Sequence, residues 1–244
     1  MSLYRDRGIV LRTYKLGEAD RIVVVLTAAH GKVRAVAKGA RRGRSRLGAR
    51  LEPLSHVDLL IYEGRSELDI VSQAELVEPW RAFREDLGRL SQGLAMAEAA
   101  EHVAQAGDAS ASAPLYRMLV GALRELVKRP GPLVAACFYW KLLALDGAQP
   151  VLASCASCGA APPAAELVAF DITQGGALCR NCRRGLAVSP AALEVTTWAL
   201  SGQLGRALQV PAGALAAEVA HLATVTLEAH LERRLKALHL LEVD

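Results

Sequence analysis

No run of 18 or more apolar residues interrupts the 244-residue chain, which excludes a membrane-spanning helix. The first twenty residues, MSLYRDRGIVLRTYKLGEAD, hold no apolar core of the length a secretory leader needs. A cytoplasmic location is therefore expected. Cysteine is scarce, with five residues, and four of them form two CxxC pairs. That number and spacing exclude a disulfide framework and argue for metal in a reducing compartment. No Walker loop, HExxH, GxSxG or GxGxxG pattern is present. The histidines at 30, 56, 102, 221, 230 and 239 are scattered. Glu98 and His102 share a helix face and read as a surface pair. Glu18/Asp20 and Glu85/Asp86 lack the further acids a two-metal nuclease needs. No active site emerges, and a non-catalytic protein is expected.

Excess charge is also missing from most of the chain. Residues 81–244 hold 15 basic and 15 acidic groups, whereas residues 1–80 hold 14 Lys and Arg against 10 Asp and Glu. The whole net charge of +4 therefore resides in the first third. Within it, Lys32, Arg34, Lys38, Arg41, Arg42, Arg44, Arg46 and Arg50 follow one another with no acid between them. A local cluster of this kind makes a field that attracts polyanions.

What is present is a hydrophobic fraction of 52%, enough for a sizeable core. Residues 4–79 carry five short Val- and Ile-rich runs with close turns, at Gly17–Asp20, His30-Gly31 and Gly64-Arg65 among others. Five strands in about 80 residues predict a small OB-type barrel, since an immunoglobulin-type sandwich needs roughly 100 residues. Pro79-Trp80 closes that unit. Beyond it Ala and Leu dominate and predict helices over 82–106, 115–128 and 132–146, with 107–114 a small polar loop. Ser189-Pro190 is an N-cap and N1 pair for a further helix. Leu215, Val219, Ala223, Leu227, Leu231, Leu235 and Leu238 form one apolar stripe on a last long helix, a core-facing pattern. The expected fold class is α+β and multidomain: an OB-type barrel over 1–80, a helical domain over 81–150 and 188–244, and an inserted cysteine module over 151–187.

Cys155-x2-Cys158 and Cys179-x2-Cys182 lie 20 residues apart. Each knuckle presents two thiolates on one side of a tight turn, and two knuckles complete the tetrahedral four-sulfur shell that zinc accepts. Val168-Ala169-Phe170 and Gly175–Leu178 suit the hairpin of a zinc ribbon. Four thiolates close the shell, so one structural Zn2+ is expected rather than a catalytic one. Arg180, Arg183 and Arg184 cluster at the second knuckle and read as solvated surface. Cys137, in an apolar helical run, reads as an inert buried thiol.

In the basic segment Lys32, Arg34 and Lys38 alternate with Val33, Ala35 and Ala37, which puts the cations on one face of a strand. The glycines of Lys38–Arg46 let the backbone follow a phosphate chain, and its guanidiniums pair with phosphate in a forked geometry. The eight basic residues are thus candidate DNA contacts. Aromatics, at 5%, are few. Tyr14 and Tyr62 are candidates for base stacking and equally for core, so binding should rest mainly on phosphates.

RGIVLRTYKLGEADRIVVVLTAAHGKV, then AKGARRGRSRLGARLEPLSHVDLLIYEG with its KGARR-x-x-SR pattern at Lys38–Arg46, then Pro79-Trp80 and the helices with their cysteine insert, resemble the RecO family of bacterial recombination mediators. The resemblance covers essentially the whole chain, and Gly43 stands where many members carry Pro. It implies an N-terminal OB-fold, a helical domain and, in some members, a zinc module. It also implies binding of single- and double-stranded DNA, annealing of complementary strands, and action with RecR in the RecF pathway. There RecA is helped onto DNA covered by single-stranded DNA-binding protein, whose acidic tail is bound. None of this uses nucleotide hydrolysis, and the expected setting is the bacterial nucleoid. Two rival readings stay open at this point: a zinc-ribbon adaptor that binds only proteins, and a metal-dependent nuclease.

Overall fold

Period-two alternation of Val, Ile and Ala with polar residues builds the first part of the molecule. In the computed structural model, described for residues 2–64, 68–106 and 109–239, all five expected strands form. They are β1 (Leu3–Leu16), β2 (Asp20–Thr27), β3 (Lys32–Ala37), β4 (His56–Tyr62) and β5 (Asp69–Glu78). They close into a barrel in the order β1-β2-β3-β5-β4. Only the β3–β5 pair is parallel. The long β1 closes the ring, pairing β4 with its first half and β2 with its second; a bulge falls between Val10 and Arg12. Val10, Val23, Val25, Ala35, Leu59 and Ile61 fill the interior and are fully buried. Of the turn expected at Gly64-Arg65, Arg65 lies outside the described residues.

Between β3 and β4 the chain makes a loop and a short helix, α1 (Arg46–Arg50), whose N-cap Ser45 accepts from the Gly48 N–H. Ala40, Leu47 and Leu51 from this segment join the barrel core. Gly48 is required here, because a Cβ would stand 1.9 Å from the Ala40 carbonyl oxygen. Pro79-Trp80 does end the barrel. The Trp80 ring stacks on His56 at 5.7 Å and its Nε1 donates to Glu78 at 3.1 Å. His56 Nδ1 faces the same carboxylate at 3.2 Å, and Nε2 faces the Tyr116 hydroxyl at 2.9 Å. Burial pushes the His56 pKa down despite the neighbouring Glu78.

The helices follow, with three differences from expectation. The segment 82–106 is not one helix but α2 (Ala82–Glu85) and α3 (Leu87–Val103). Asp86 between them is extended, and its carboxylate caps α3 by accepting from the Arg89 N–H. A short acid able to bond its own backbone favours that break over a continuous helix. Next, α4 (Ala109–Lys128) begins inside the segment expected to be a polar loop. Its Ala and Ser residues accept helix once the later turns are anchored, and Pro114 sits near its start. Residues 107 and 108 lie outside the described residues. Finally, the expected last helix is cut. α8 (Ala214–His230) stops, Glu232 adopts a left-handed backbone with φ 53°, and α9 (Lys236–His239) starts anew. Glu228 ties the break by accepting from the Leu235 N–H. Ala237 of α9 in turn donates to Glu98 of α3 and accepts from Ser91.

The remaining elements are α5 (Pro132–Leu145), β6 (Leu167–Asp171), β7 (Gly176–Cys179), β8 (Leu186–Ala187), α6 (Pro190–Leu200) and α7 (Leu204–Ala207). Ser189 caps α6 as expected, accepting from the Ala192 N–H. The chain groups into two units: one runs to Lys128 and takes in α9, and the other is Arg129–Leu235. The helical region expected as one domain is thus shared between the barrel unit and the cysteine-bearing unit. Among the described residues no helix is long and apolar enough to cross a membrane.

Candidate nucleic-acid interface and candidate metal centre

The basic loop leaves β3 at Ala37 and is held in shape by the β1–β2 turn. Gly39, with φ 66°, donates its N–H to Asp20 Oδ1 at 2.8 Å. Arg41 bonds the same turn twice, from its N–H to the Ala19 carbonyl and from Nη1 to the Gly17 carbonyl at 2.7 Å. Within the loop, the Arg42 N–H reaches the Gly39 carbonyl and the Ser45 N–H reaches the Arg42 carbonyl. The segment is therefore a folded platform rather than a loose tail.

Of the eight basic candidates, six are exposed: Arg34 on β3 and Lys38, Arg41, Arg42, Arg44 and Arg46 on the loop and the start of α1. Lys32 and Arg50 are half-buried and serve the fold. Lys32 Nζ donates to the Glu101 carbonyl near the C-terminal end of α3, where a helix dipole welcomes a cation. Arg50 Nη1 donates to the Ala74 carbonyl of β5. Of the nearby acids, Glu52 pairs with Arg21 at 2.9 Å and Asp20 accepts from the Gly39 N–H, while Glu18 lies exposed in the turn that holds Arg41. The carbonyl acceptors leave the guanidinium charges unneutralised, so the loop remains a concentrated positive surface. Tyr14 and Tyr62 are both exposed, at 43% and 41%, so neither is a core residue.

In the other unit the four cysteines converge. Their sulfurs all lie within 4.8 Å of one another, and Cys158 Sγ is 3.7 Å from Cys179 Sγ. A tetrahedron with metal–sulfur bonds of about 2.3 Å has edges of about 3.8 Å, so the donor set fits a four-sulfur zinc site. The first knuckle turns through Gly159, whose N–H donates to the Cys155 carbonyl; the Cys155 N–H in turn donates to the Ala160 carbonyl. The second follows β7 as a 3-10 turn over Arg180–Cys182. β7, β6 and β8 make the small ribbon sheet that carries it. Backbone N–H groups, first that of Cys179 and then those of Cys158 and Ser157, hold the Cys155 thiol down at about 6. Contacts with the Cys158 and Cys179 sulfurs push the Cys182 thiol the other way, to about 12, so the support for a metal is the convergence of the four sulfurs, which would bind it as thiolates. Among the described residues no other group of three or more His, Cys, Asp or Glu side chains converges in this way.

Two of the three arginines at the second knuckle, Arg180 and Arg184, are compensated. Arg180 pairs with Glu166 and Arg184 with Asp171, each at 2.6 Å. Asp171 also accepts from the Thr173 and Gln174 N–H groups, and with Arg184 these keep its carboxyl below the usual range. Cys137 is buried in α5, and burial raises its thiol to about 12.

With this geometry in hand, comparison with protein families is decisive. Residues 1–80 match the model described as Recombination protein O N terminal, and residues 84–239 match Recombination protein O C terminal. The chain belongs to the recombination protein O family. Membership gives it, in general terms, a mediator role in DNA repair and recombination. The family's N-terminal OB-fold is the closed barrel seen here, and its C-terminal segment spans α3, the cysteine module and α8.

Proposed function

We propose that this protein is a non-catalytic mediator that binds single- and double-stranded DNA through the basic loop of its barrel and anneals complementary strands. The observation that carries the reading is the folded, exposed cluster of Lys38, Arg41, Arg42, Arg44 and Arg46, five cations set against the two carboxylates of the adjoining turn, Glu18 and Asp20. Two strands repel through their phosphates. A cationic platform that neutralises both lowers the cost of their encounter, and released counterions drive the binding. Contacts of this kind position the backbone without reading bases, so weak sequence preference follows. Acting with RecR, the protein assists RecA loading on DNA covered by single-stranded DNA-binding protein, and it engages that protein's acidic tail. The four cysteines hold one Zn2+ as a fold staple, and no step of the function passes through the metal.

Annealing of labelled complementary oligonucleotides tests the reading. Arg41 also holds the Gly17 carbonyl, so the informative variant is Arg42→Glu/Arg44→Glu/Arg46→Glu, which leaves that turn intact. Its annealing rate should fall to the uncatalysed level. An unchanged rate sinks the proposal. Cleavage of the DNA in Mg2+ or Mn2+ would instead favour a nuclease.

A further inference from the structure

The four cysteines of the candidate metal centre are not equally covered. Cys155 and Cys179 are each 2% exposed, Cys182 is half-buried and Cys158 is open to solvent. The path of the chain sets this order. Cys179 ends β7, where it pairs with Leu167 of β6 and follows the fully buried Ala177 and Leu178. Cys155 lies at the root of the first knuckle. Its N–H donates to the Ala160 carbonyl, and that of Ala156 donates to the Ala177 carbonyl of β7. Cys158 sits at the tip of the same turn, between Ser157 and Gly159, which are both exposed. Space beside it is open: a Cβ placed on Gly159 would meet nothing beyond its chain neighbours within 4 Å.

Exposure alone makes a thiol reachable and nothing more. Cys158 differs from a solitary surface thiol because three further sulfurs stand within 4.8 Å of its own, Cys179 Sγ at 3.7 Å. A sulfur that holds a metal does so as the thiolate, which is also the form that attacks electrophiles. An oxidant arriving at Cys158 therefore finds a nucleophile in the open and a second sulfur in place to complete a disulfide. Cys137 offers the contrast, as a free thiol enclosed in α5. All five cysteines fall within the unit Arg129–Leu235, so thiol chemistry acts on that unit and not on the barrel unit.

We propose that Cys158 is a modification site for peroxides, through which oxidation opens the metal centre. The Cys158 thiolate attacks one oxygen of hydrogen peroxide. The O–O bond breaks, the other oxygen leaves as hydroxide, and Cys158 becomes a sulfenic acid. The Cys179 thiolate then attacks the Cys158 sulfur. An S–S bond forms, the S–O bond breaks, and a second hydroxide leaves. Two thiolates have given up two electrons, and one peroxide has become two hydroxides. The two sulfurs that remain are too few for a closed four-coordinate site, so the metal is lost. A dithiol reductant returns both thiols by exchange. This rests on the zinc reading above and deepens it, since the staple becomes one that peroxide can release.

The test uses the full zinc-loaded chain, treated with hydrogen peroxide while a coloured chelator reads the freed metal. The wild type should release about one equivalent of zinc per chain. Thiol mapping by mass spectrometry should find Cys158 bridged to Cys179 and Cys137 still reduced. Cys158→His keeps a three-sulfur, one-nitrogen donor set that zinc also accepts, and it should release the metal about tenfold more slowly because the open thiolate is gone. Cys182→His makes the same exchange at the half-buried position of the other knuckle and should stay within about twofold of the wild type. Limited iodoacetamide on the wild type should mark Cys158 before any other cysteine, which decides the matter where a histidine variant takes up no zinc. Equal release rates from the two variants overturn the proposal, as does a bridge that omits Cys158 or first labelling elsewhere. A wild-type chain that holds no zinc and takes up none overturns the zinc reading itself and the proposal with it.

Discussion

Two arginine clusters in this molecule look alike in sequence and behave differently in space. At the second knuckle, Arg180 and Arg184 are each met by a carboxylate from the same ribbon, Glu166 and Asp171, at 2.6 Å. In the basic loop, Arg41 is met by a carbonyl, and Asp20, the acid bonded to the loop, is bonded to a backbone N–H. A carbonyl orients a guanidinium without cancelling its charge. The first cluster has two of its charges offset on the spot, and the second leaves a field at the surface. Where the acids go, rather than how many arginines there are, separates a structural cluster from a binding one.

The comparison can be broken most severely from the metal side. Cys155→Ser, or chelation, should unfold the ribbon and strip about one equivalent of zinc, because binding energy at such sites is folding energy. Metal analysis by mass spectrometry with calorimetry checks this. The barrel should keep its DNA affinity within a few fold. A zinc-free protein with an unchanged melting profile would refute the staple. Next in size is the loop itself. Arg42→Glu/Arg44→Glu/Arg46→Glu should cost roughly a hundredfold in affinity at moderate salt and flatten the salt slope by about 2, at ~0.7 per phosphate on a single strand.

Arg180→Ala and Arg184→Ala sharpen the contrast by doing little to DNA binding, less than threefold in the same assay. A loss as large as the loop variant's would erase the distinction between the clusters. The smallest effect concerns acid. His56 takes a proton less readily when folded than in the unfolded chain, whose reference pKa is 6.5. The unfolded state therefore binds more protons as pH falls. Stability of the barrel unit is full above about 6.5 and is lost progressively below it. Glu78, also held down, adds a loss of the same sign at lower pH. In His56→Gln, chemical denaturation at a series of pH values should show a flatter decline between pH 7 and 5.

Much of this arrangement was legible in the residues. The strands show as Val-rich period-two runs, and the knuckles show in their spacing. Helix boundaries were less so. Nothing local says that Asp86 caps instead of continuing, or that Glu232 turns left-handed while the apolar stripe runs on through Leu235 and Leu238. Both depend on partners distant in the chain, such as Glu98 with Ala237. The assignment of Lys32 to the Glu101 carbonyl is equally non-local. Least legible was the exposure of Tyr14 and Tyr62, which only the barrel register sets.

The central claim, that the barrel loop and not the knuckle supplies the DNA-binding charge, is tested most directly by salt-dependent anisotropy on a fluorescent single strand. Four to six neutralised phosphates predict a slope of log K against log salt of roughly −3 to −4. That slope should be flattened by Arg42→Glu/Arg44→Glu/Arg46→Glu and left intact by Arg180→Ala/Arg184→Ala. No binding at low salt, or a slope that follows the knuckle variants instead, would contradict the account.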